Sequence, residues 1–106
     1  MKMVSAFIHH VKAAPTIQAL SDAGYENITV LDVKGALKAI SDNEKDYSAP
    51  SGLSISETCV SLICQDDQVE GATDIIREVG TIGEGISGWV YVSPIELALP
   101  IGDSLG

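Results

Sequence analysis

Residues 56–92 read SETCVSLICQDDQVEGATDIIREVGTIGEGISGWVYV, and the periodicity of this stretch decides the predicted fold. Its first nine residues have the β-branched and apolar content of a strand. The middle places apolar residues three or four positions apart, as on one face of a helix: Val69, Ala72, Ile76 and Val79. Four glycines in residues 80–88 then precede a second strand, WVYV, at residues 89–92. The stretch is therefore predicted to form a strand, a helix and a strand.

The same order of elements precedes this stretch. MVSAFI, residues 3–8, is predicted as a strand, and APTIQALSDAG, residues 14–24, as a helix that stops at Gly24. NITVLDVKG, residues 27–35, is a strand with apolar residues on both faces, as expected if one face meets helices and the other meets a second subunit. Residues 36–55 lack periodicity and are predicted as a long functional loop. The order βαββαβ predicts an α+β, ferredoxin-like fold with an antiparallel sheet covered on one face by helices.

Composition limits the functions open to this chain. Its 106 residues suit a single domain, and the hydrophobic share of 45% excludes a disordered tail and favours a partner subunit over part of the surface. The net charge of −9 repels the phosphates of nucleic acids, so no nucleic-acid partner is expected. The sequence has neither the ~20 consecutive apolar residues of a membrane span nor a signal-peptide pattern, and we expect a cytoplasmic protein.

The two cysteines are expected to be reduced. Cys59 and Cys64 lie five residues apart in one predicted strand, which places them on opposite faces and roughly 16 Å apart. That separation exceeds the ~7 Å limit between the Cα atoms of a disulfide. Both are therefore predicted to be buried thiols without a covalent partner.

Several strings resemble the PII nitrogen-regulatory signalling family, and the likeness runs from Met1 to about Asp103. ITVLDVKG, residues 28–35, is similar to the strand at the base of the family's long T-loop. DDQVEGATDIIREVGTIGEG, residues 66–85, resembles its second helix and nucleotide-binding B-loop, and VYVSPIE, residues 90–96, the strand that follows. The resemblance implies one PII-like domain over the whole chain.

Within this domain, 1–106, the resemblance assigns the T-loop to about residues 36–55 and the B-loop to about residues 80–88. PII proteins are homotrimers that bind adenine nucleotides in the clefts between subunits. Carried over by position, the nucleotide-binding residues are Thr29, Gly35, Leu37, Lys38, Ile63, Ile82, Gly83, Glu84 and Gly85. Backbone N–H groups around the glycines supply an anion-binding concavity for the phosphates. A plain hinge before an edge strand is the alternative interpretation of the B-loop.

The chain departs from the family where a triphosphate is bound. The family usually has a lysine at the end of the T-loop, a second lysine after the B-loop and two arginines after the last long strand. Those positions carry Glu57, Ser87 or Gly88, Ala98 and Pro100. Lys38, which replaces an arginine, keeps its charge. A single cation in an acidic protein does not balance the roughly four negative charges of ATP. We therefore expect the protein to bind ADP, AMP or a cyclic nucleotide more tightly than ATP.

The predicted T-loop diverges as well. Ala39 replaces the glutamine that helps PII proteins hold Mg²⁺ and 2-oxoglutarate, so ordinary nitrogen sensing is not expected. These losses resemble the divergent PII-like branch that contains carboxysome-associated and bicarbonate-transporter-associated regulators, in which AMP or ADP is bound and bicarbonate can be an effector. The analogy places a small anion such as bicarbonate near Lys34 or Lys38. The T-loop is expected to engage a target protein such as a transporter or an enzyme, with a membrane reached only through that target.

Four further features of the sequence have ordinary structural explanations. His9 and His10 are adjacent, so in a strand their side chains point to opposite faces and cannot bind one metal together. Arg77, on the second predicted helix, is expected to face solvent. Tyr47 is expected to be a solvated loop residue and not a modification site. The insertion ISG, residues 86–88, has no counterpart in the family.

Two other protein classes use the same topology. A trimeric metal-binding protein of the CutA type needs His and Cys at ligand spacing, which this sequence does not have, and no metal site is expected. An acylphosphatase needs an arginine in the loop after its first strand, where this chain has HHVKAAP, residues 9–15. No nucleophile has an adjacent base, so we do not expect an enzyme. The CutA type and a PII-fold protein that senses another small ligand or nitrogen status are the alternatives to a nucleotide-dependent regulator.

Overall fold

The computed structural model describes residues 1–35 and 55–102. This part of the chain contains the strands and helices that the sequence predicts. In chain order they are β1 (Lys2–His9), α1 (Ala13–Asp22), β2 (Thr29–Gly35), β3 (Ile55–Cys64), α2 (Val69–Val79) and β4 (Trp89–Pro94). A 3₁₀ turn precedes each helix, at His10–Lys12 and at Asp66–Gln68. The predicted T-loop, including Tyr47, lies outside the described residues except for Ile55, which begins β3.

The strands form one antiparallel sheet in the order β2-β3-β1-β4. Between the two central strands, His9 at the end of β1 lies opposite Glu57 of β3. Between β1 and the edge strand β4, Phe7 lies opposite Trp89. On the far side of β3, Val33 of β2 also lies opposite Glu57. The predicted ferredoxin-like fold is confirmed, because this order places the first and last strands side by side.

Both helices pack on the same face of the sheet, and the hydrophobic core lies between them and the strands. Alternate residues of β1 and β3 point to the helices, since successive side chains of a strand point to opposite faces. The buried apolar residues are Val4, Ala6, Ile8, Val60, Leu62 and Cys64 from the strands and Leu20, Ala72 and Ile76 from the helices. The predicted helix-facing surface of the sheet is therefore confirmed.

The other face of the sheet carries large apolar side chains that remain exposed. Leu31, Ile63, Trp89 and Tyr91 are 47–59% exposed, and the strand registers place all of them on this face. We call the surface formed by these four residues the open face. Clustered apolar exposure of this kind marks an interaction site. The sequence prediction that β2 is apolar on both faces is confirmed by Val30 and Leu31, which are both exposed on opposite sides of the sheet.

The thiols of Cys59 and Cys64 are free and lie on opposite faces, as predicted. Cys64 is buried beneath the helices, whereas Cys59 lies on the side of the open face and is only partly buried in the single chain. Burial raises the pKa of both thiols above its usual value. Both side chains therefore behave as small apolar groups at neutral pH.

Helix α1 ends at the predicted glycine. Gly24 has a φ of +95°, and its N–H donates to the Ser21 carbonyl at 3.0 Å. The next N–H, from Tyr25, donates to the Leu20 carbonyl at 3.0 Å. These two bonds form a Schellman motif, which satisfies carbonyl groups that the end of a helix leaves unpaired. Within the described ranges, no helix has the length and apolar content that crossing a membrane requires.

Tyr25 then connects the end of α1 to the start of α2. Its hydroxyl donates to the Gln68 carbonyl at 2.8 Å. Gln65 and Gln68 form a reciprocal capping box at this point, in which the Gln65 N–H donates to Gln68 Oε1 at 2.9 Å. Gly71 makes room for the tyrosine, because a Cβ there would lie 2.5 Å from the Tyr25 hydroxyl. The two helices are thus held together by a polar contact as well as by the core.

Candidate functional site at the glycine loop

The B-loop, residues 80–88, connects α2 to β4 without a helix or strand of its own. Gly83 and Gly85 have φ values of +60° and +87°, a left-handed backbone that residues with a Cβ rarely adopt. Backbone N–H groups next to left-handed residues form concavities that bind anions. Two of the four glycines are therefore required by the shape of the loop.

The other two glycines are required by close packing. A Cβ on Gly88 would collide with the Phe7 carbonyl oxygen, so this glycine lets the chain lie directly against the end of β1. A Cβ on Gly80 would lie 2.7 Å from the Ile76 carbonyl oxygen at the end of α2. The loop thus needs glycine for two reasons: a positive φ at Gly83 and Gly85, and close packing against the backbone at Gly80 and Gly88.

Ser87 closes the B-loop on itself. Its hydroxyl oxygen accepts the Ile82 N–H at 2.8 Å and donates to the Ile82 carbonyl at 3.0 Å. Ser87, one of the two residues predicted to stand where the family has a lysine, thus fixes the loop. The insertion at residues 86–88 has a structural role that the sequence did not predict, since Ser87 clamps the loop and Gly88 packs on β1.

A cleft of about 470 Å³ lies beside the loop, between the end of α2 and the start of β4. Its lining includes the apolar residues Ile8, Ile76 and Val90, the hydroxyl residues Thr81 and Ser87, and Arg77. The Thr81 hydroxyl donates to the Arg77 carbonyl at 2.5 Å, which ties the start of the loop to the last turn of the helix. Arg77 is exposed, as predicted, but it also lines this cleft, which was not expected from the sequence. Its position one helical turn before the glycine cluster was the available signal.

The predicted phosphate-binding residues lie at one end of the sheet. The B-loop residues Ile82, Gly83, Glu84 and Gly85 precede β4, and Gly35 ends β2 at the same end. Two strands separate β2 from β4, so these groups are at least roughly 14 Å apart across the sheet. Leu37 and Lys38 lie outside the described residues, as does the side chain of Lys34.

The predicted adenine-binding residues lie elsewhere. Thr29 begins β2 opposite Ser61, and Ile63 is two residues further along β3 on the same face. Gly35 lies six positions after Thr29, which corresponds to roughly 20 Å along the strand. Both Thr29 and Ile63 are exposed. A single chain therefore does not bring the adenine-binding and phosphate-binding residues together.

A buried polar pair lies at the sheet end next to the B-loop. His9 and Glu57 are 3% and 5% exposed and face each other across β1 and β3, with Cβ atoms roughly 5 Å apart. His9 Nδ1 also accepts the Val11 N–H at 3.3 Å. The glutamate that stands in place of the family's lysine is thus packed inside the sheet end and does not face solvent.

The expectation that the two histidines point to opposite faces is wrong. Their rings lie together, with centroids 4.4 Å apart and a tilt of 33° between the ring planes. The reason is that β1 ends at His9, and His10 begins a 3₁₀ turn in which the alternation of a strand no longer applies. Among the described residues, no group of three or more His, Cys, Asp or Glu side chains is arranged to hold a metal ion.

Comparison with known proteins gives matches along nearly the whole chain. A family profile described as Nitrogen regulatory protein P-II matches residues 1–101. The chain is 31% identical over 103 residues to the Nitrogen fixation nifHD region GlnB-like protein 1 of Methanothermobacter marburgensis, covering 95% of this chain and 93% of that protein. It is also 31% identical over 97 residues to the Nitrogen regulatory protein P-II of Mesorhizobium japonicum, covering 91% of this chain and 87% of that protein.

Proposed function

The chain belongs to the nitrogen regulatory protein P-II family, and we propose that it controls a partner protein in response to an adenine nucleotide. The resemblance drawn from the sequence is confirmed by this membership, and homotrimers are typical of the family. Membership in this family also removes the support for the CutA-type alternative. We propose a cytoplasmic regulator and not an enzyme, in keeping with the regulatory role of the family.

Assembly through the open face supports this proposal. The exposed apolar side chains of Leu31, Ile63, Trp89 and Tyr91 would be covered by neighbouring subunits in a homotrimer. Covering such a surface is favourable by about 25 cal/mol for each Å² of apolar area removed from water. We propose that the same contact would bring Thr29 and Ile63 of one subunit toward the B-loop of another.

The single observation that carries the nucleotide proposal is the backbone of the B-loop. Gly83 and Gly85 are left-handed, and Ser87 fixes the loop in that shape. A preformed loop binds an anion at a lower entropic cost than a loop that must be ordered. The loss of the family's lysines and arginines supports ADP or AMP as the ligand in preference to ATP.

We propose that the T-loop, residues 36–55, contacts the partner protein and that the nucleotide alters this contact. Such control requires the ligand to bind one state of the protein better than another. Bicarbonate near Lys34 or Lys38 is the proposed second effector, by analogy with the divergent PII-like branch. The partner would then be a transporter or an enzyme of inorganic-carbon handling.

Calorimetric titration of the purified protein with AMP, ADP, ATP and cyclic AMP, each with and without bicarbonate, tests the proposal. We expect AMP or ADP to bind at least about tenfold more tightly than ATP, a difference of about 1.4 kcal/mol. A shift of nucleotide affinity by bicarbonate would establish coupling between two ligands. If no nucleotide binds, the B-loop is a hinge before β4 and the proposed function fails.

Nitrogen status is the second candidate signal, and the names of the relatives favour it. The proteins from Methanothermobacter marburgensis and Mesorhizobium japonicum are named for a nitrogen fixation region and for nitrogen regulation. Ala39, in place of a glutamine, argues against the Mg²⁺ and 2-oxoglutarate site of the family. Adding Mg²⁺ and 2-oxoglutarate to the ATP titration separates the two candidates, because only a nitrogen sensor of the ordinary type would bind ATP more tightly in their presence.

A further inference from the structure

We infer that Arg77 is the cation that selects a nucleotide with one or two phosphates, a specificity role that rests on the proposed function. Arg77 lies in the last turn of α2 and lines the cleft together with Gly85, Ser87 and Gly88 of the B-loop. It is the one charged side chain among the described residues that line this cleft. The guanidinium of Arg77 would then meet an anion that enters the cleft from the B-loop side.

The chemistry of the cleft suits the phosphate end of a nucleotide whose adenine lies against Thr29 and Ile63 of a neighbouring subunit. Its volume of about 470 Å³ lies within the range of ligand sites, and Ile8, Ile76 and Val90 supply an apolar wall. A guanidinium binds phosphate through two parallel N–H···O bonds, which the terminal phosphate of AMP, ADP or ATP can accept. A third phosphate would bring further negative charge toward a protein with a net charge of −9 and no second cation on the described lining.

A purely structural role for Arg77 makes a different prediction. A cation in the last turn of a helix offsets the partial negative charge of the terminal carbonyl groups. That effect acts on the protein without ligand and changes its unfolding temperature. A role in ligand binding instead changes the affinity for phosphorylated ligands and leaves the affinity for adenosine unaltered.

The experiment compares AMP, ADP, ATP and adenosine by calorimetry in the wild type and in the variants Arg77→Gln, Arg77→Lys and Lys2→Gln, and Arg77→Gln should reduce the preference for AMP and ADP over ATP. Lys2→Gln removes the same charge from the opposite end of β1, so it controls for net charge. We expect Arg77→Gln to weaken AMP and ADP roughly ten- to hundredfold, with Arg77→Lys between it and the wild type. Lys2→Gln should bind AMP and ADP as tightly as the wild type does, and every variant should bind adenosine with the wild-type affinity. Fluorescence of the single tryptophan, Trp89, which lines the same cleft, gives an independent readout of binding.

The outcomes separate this inference from the proposed function. If the wild type binds the nucleotide and Arg77→Gln weakens this binding no more than Lys2→Gln does, the inference about Arg77 is overturned. The proposed function is then still supported. No nucleotide binding by the wild type would overturn both. Thermal unfolding without ligand identifies a variant that has lost its fold. If Arg77→Gln does not fold, Arg77→Lys, which keeps the charge and has a similar helix propensity, is used to test the inference.

Discussion

The Ser87 hydroxyl contacts both backbone polar groups of Ile82, accepting the N–H at 2.8 Å and donating to the carbonyl oxygen at 3.0 Å. A side chain five residues away thereby closes the B-loop in the way that a pair of main-chain hydrogen bonds closes a tight turn. The contact makes the shape of the loop independent of any ligand. It follows that the loop can be tested in the protein alone.

Ser87→Ala should lower the free energy of unfolding by about 1 kcal/mol, because two part-buried backbone groups lose their partner. AMP and ADP affinity should fall in the same variant, since the loop must then be ordered on binding. Urea denaturation and calorimetric titration measure the two effects. Ser21→Ala, at an exposed position of α1, is the control and should stay within about 0.5 kcal/mol of the wild type. Equal stability of the two variants would show that the Ser87 contact does not hold the loop in solution.

Leu31→Glu should dissociate the proposed trimer, because it places a charge on the apolar open face. Val30→Glu is the matched control: Val30 is the preceding residue, is 43% exposed and points to the other side of the sheet. Sedimentation equilibrium should give the mass of one chain for Leu31→Glu and of three chains for Val30→Glu. If Leu31→Glu assembles like the wild type, the open face is not the interface.

Tyr25→Phe should lower the free energy of unfolding by about 1 kcal/mol, because the Gln68 carbonyl loses its hydrogen bond at the junction of the two helices. The comparison is Tyr91→Phe, which removes a hydroxyl but keeps the edge-to-face packing against Phe7, with ring centroids 6.0 Å apart. Urea denaturation at neutral pH measures both variants. A loss of stability in Tyr91→Phe as large as in Tyr25→Phe would contradict a specific role for the Tyr25 contact.

Stability should also decline at high pH through Tyr25. Burial, followed by the charges of Cys64, Asp67 and Asp74, raises the pKa of Tyr25 above its usual value of about 10. A raised pKa of an acid means that the folded state favours the neutral form, so this stabilisation is complete below the pKa of the unfolded chain and is lost as pH rises through the pKa of the folded state.

The stability advantage of the wild type over Tyr25→Phe should therefore shrink as the pH passes above about 10. The raised pKa of Cys59 acts in the same direction from about pH 9 in both proteins and cancels in the comparison, whereas the charge of Cys64 interacts with Tyr25 and adds to the difference between them. Denaturation curves between neutral pH and pH 11, together with tyrosinate absorbance, measure the effect. A difference between the two proteins that is constant with pH would show that Tyr25 titrates normally.

The sequence by itself determined the order of the strands and helices and the side of the sheet that each strand residue faces. Alternation in β1 and β3 and the three-to-four spacing in α2 are local patterns, and Gly24 ends α1 through bonds to residues only a few positions away. Resemblance to a family then identified the chain, because the matching strings run in order along nearly its full length.

Only the tertiary structure decided how the B-loop is built. Ser87 contacts Ile82, Gly88 packs against the backbone of Phe7, and Arg77 lines the same cleft. None of these contacts repeats with a period, and the sequence offered only one signal for them, the position of Arg77 one helical turn before the glycine cluster. The contact between the rings of His9 and His10 was also missed, since it depends on the residue at which β1 ends and the 3₁₀ turn begins.

The distance between the two parts of the predicted nucleotide site was likewise decided by the fold. Thr29 and Gly35 are close in sequence, but an extended strand separates them by roughly 20 Å. The sheet places the B-loop at its β4 edge and the predicted adenine-binding residues on its open face. Sequence proximity does not measure distance in an extended strand, and the fold of a single chain keeps the two parts of the predicted site apart.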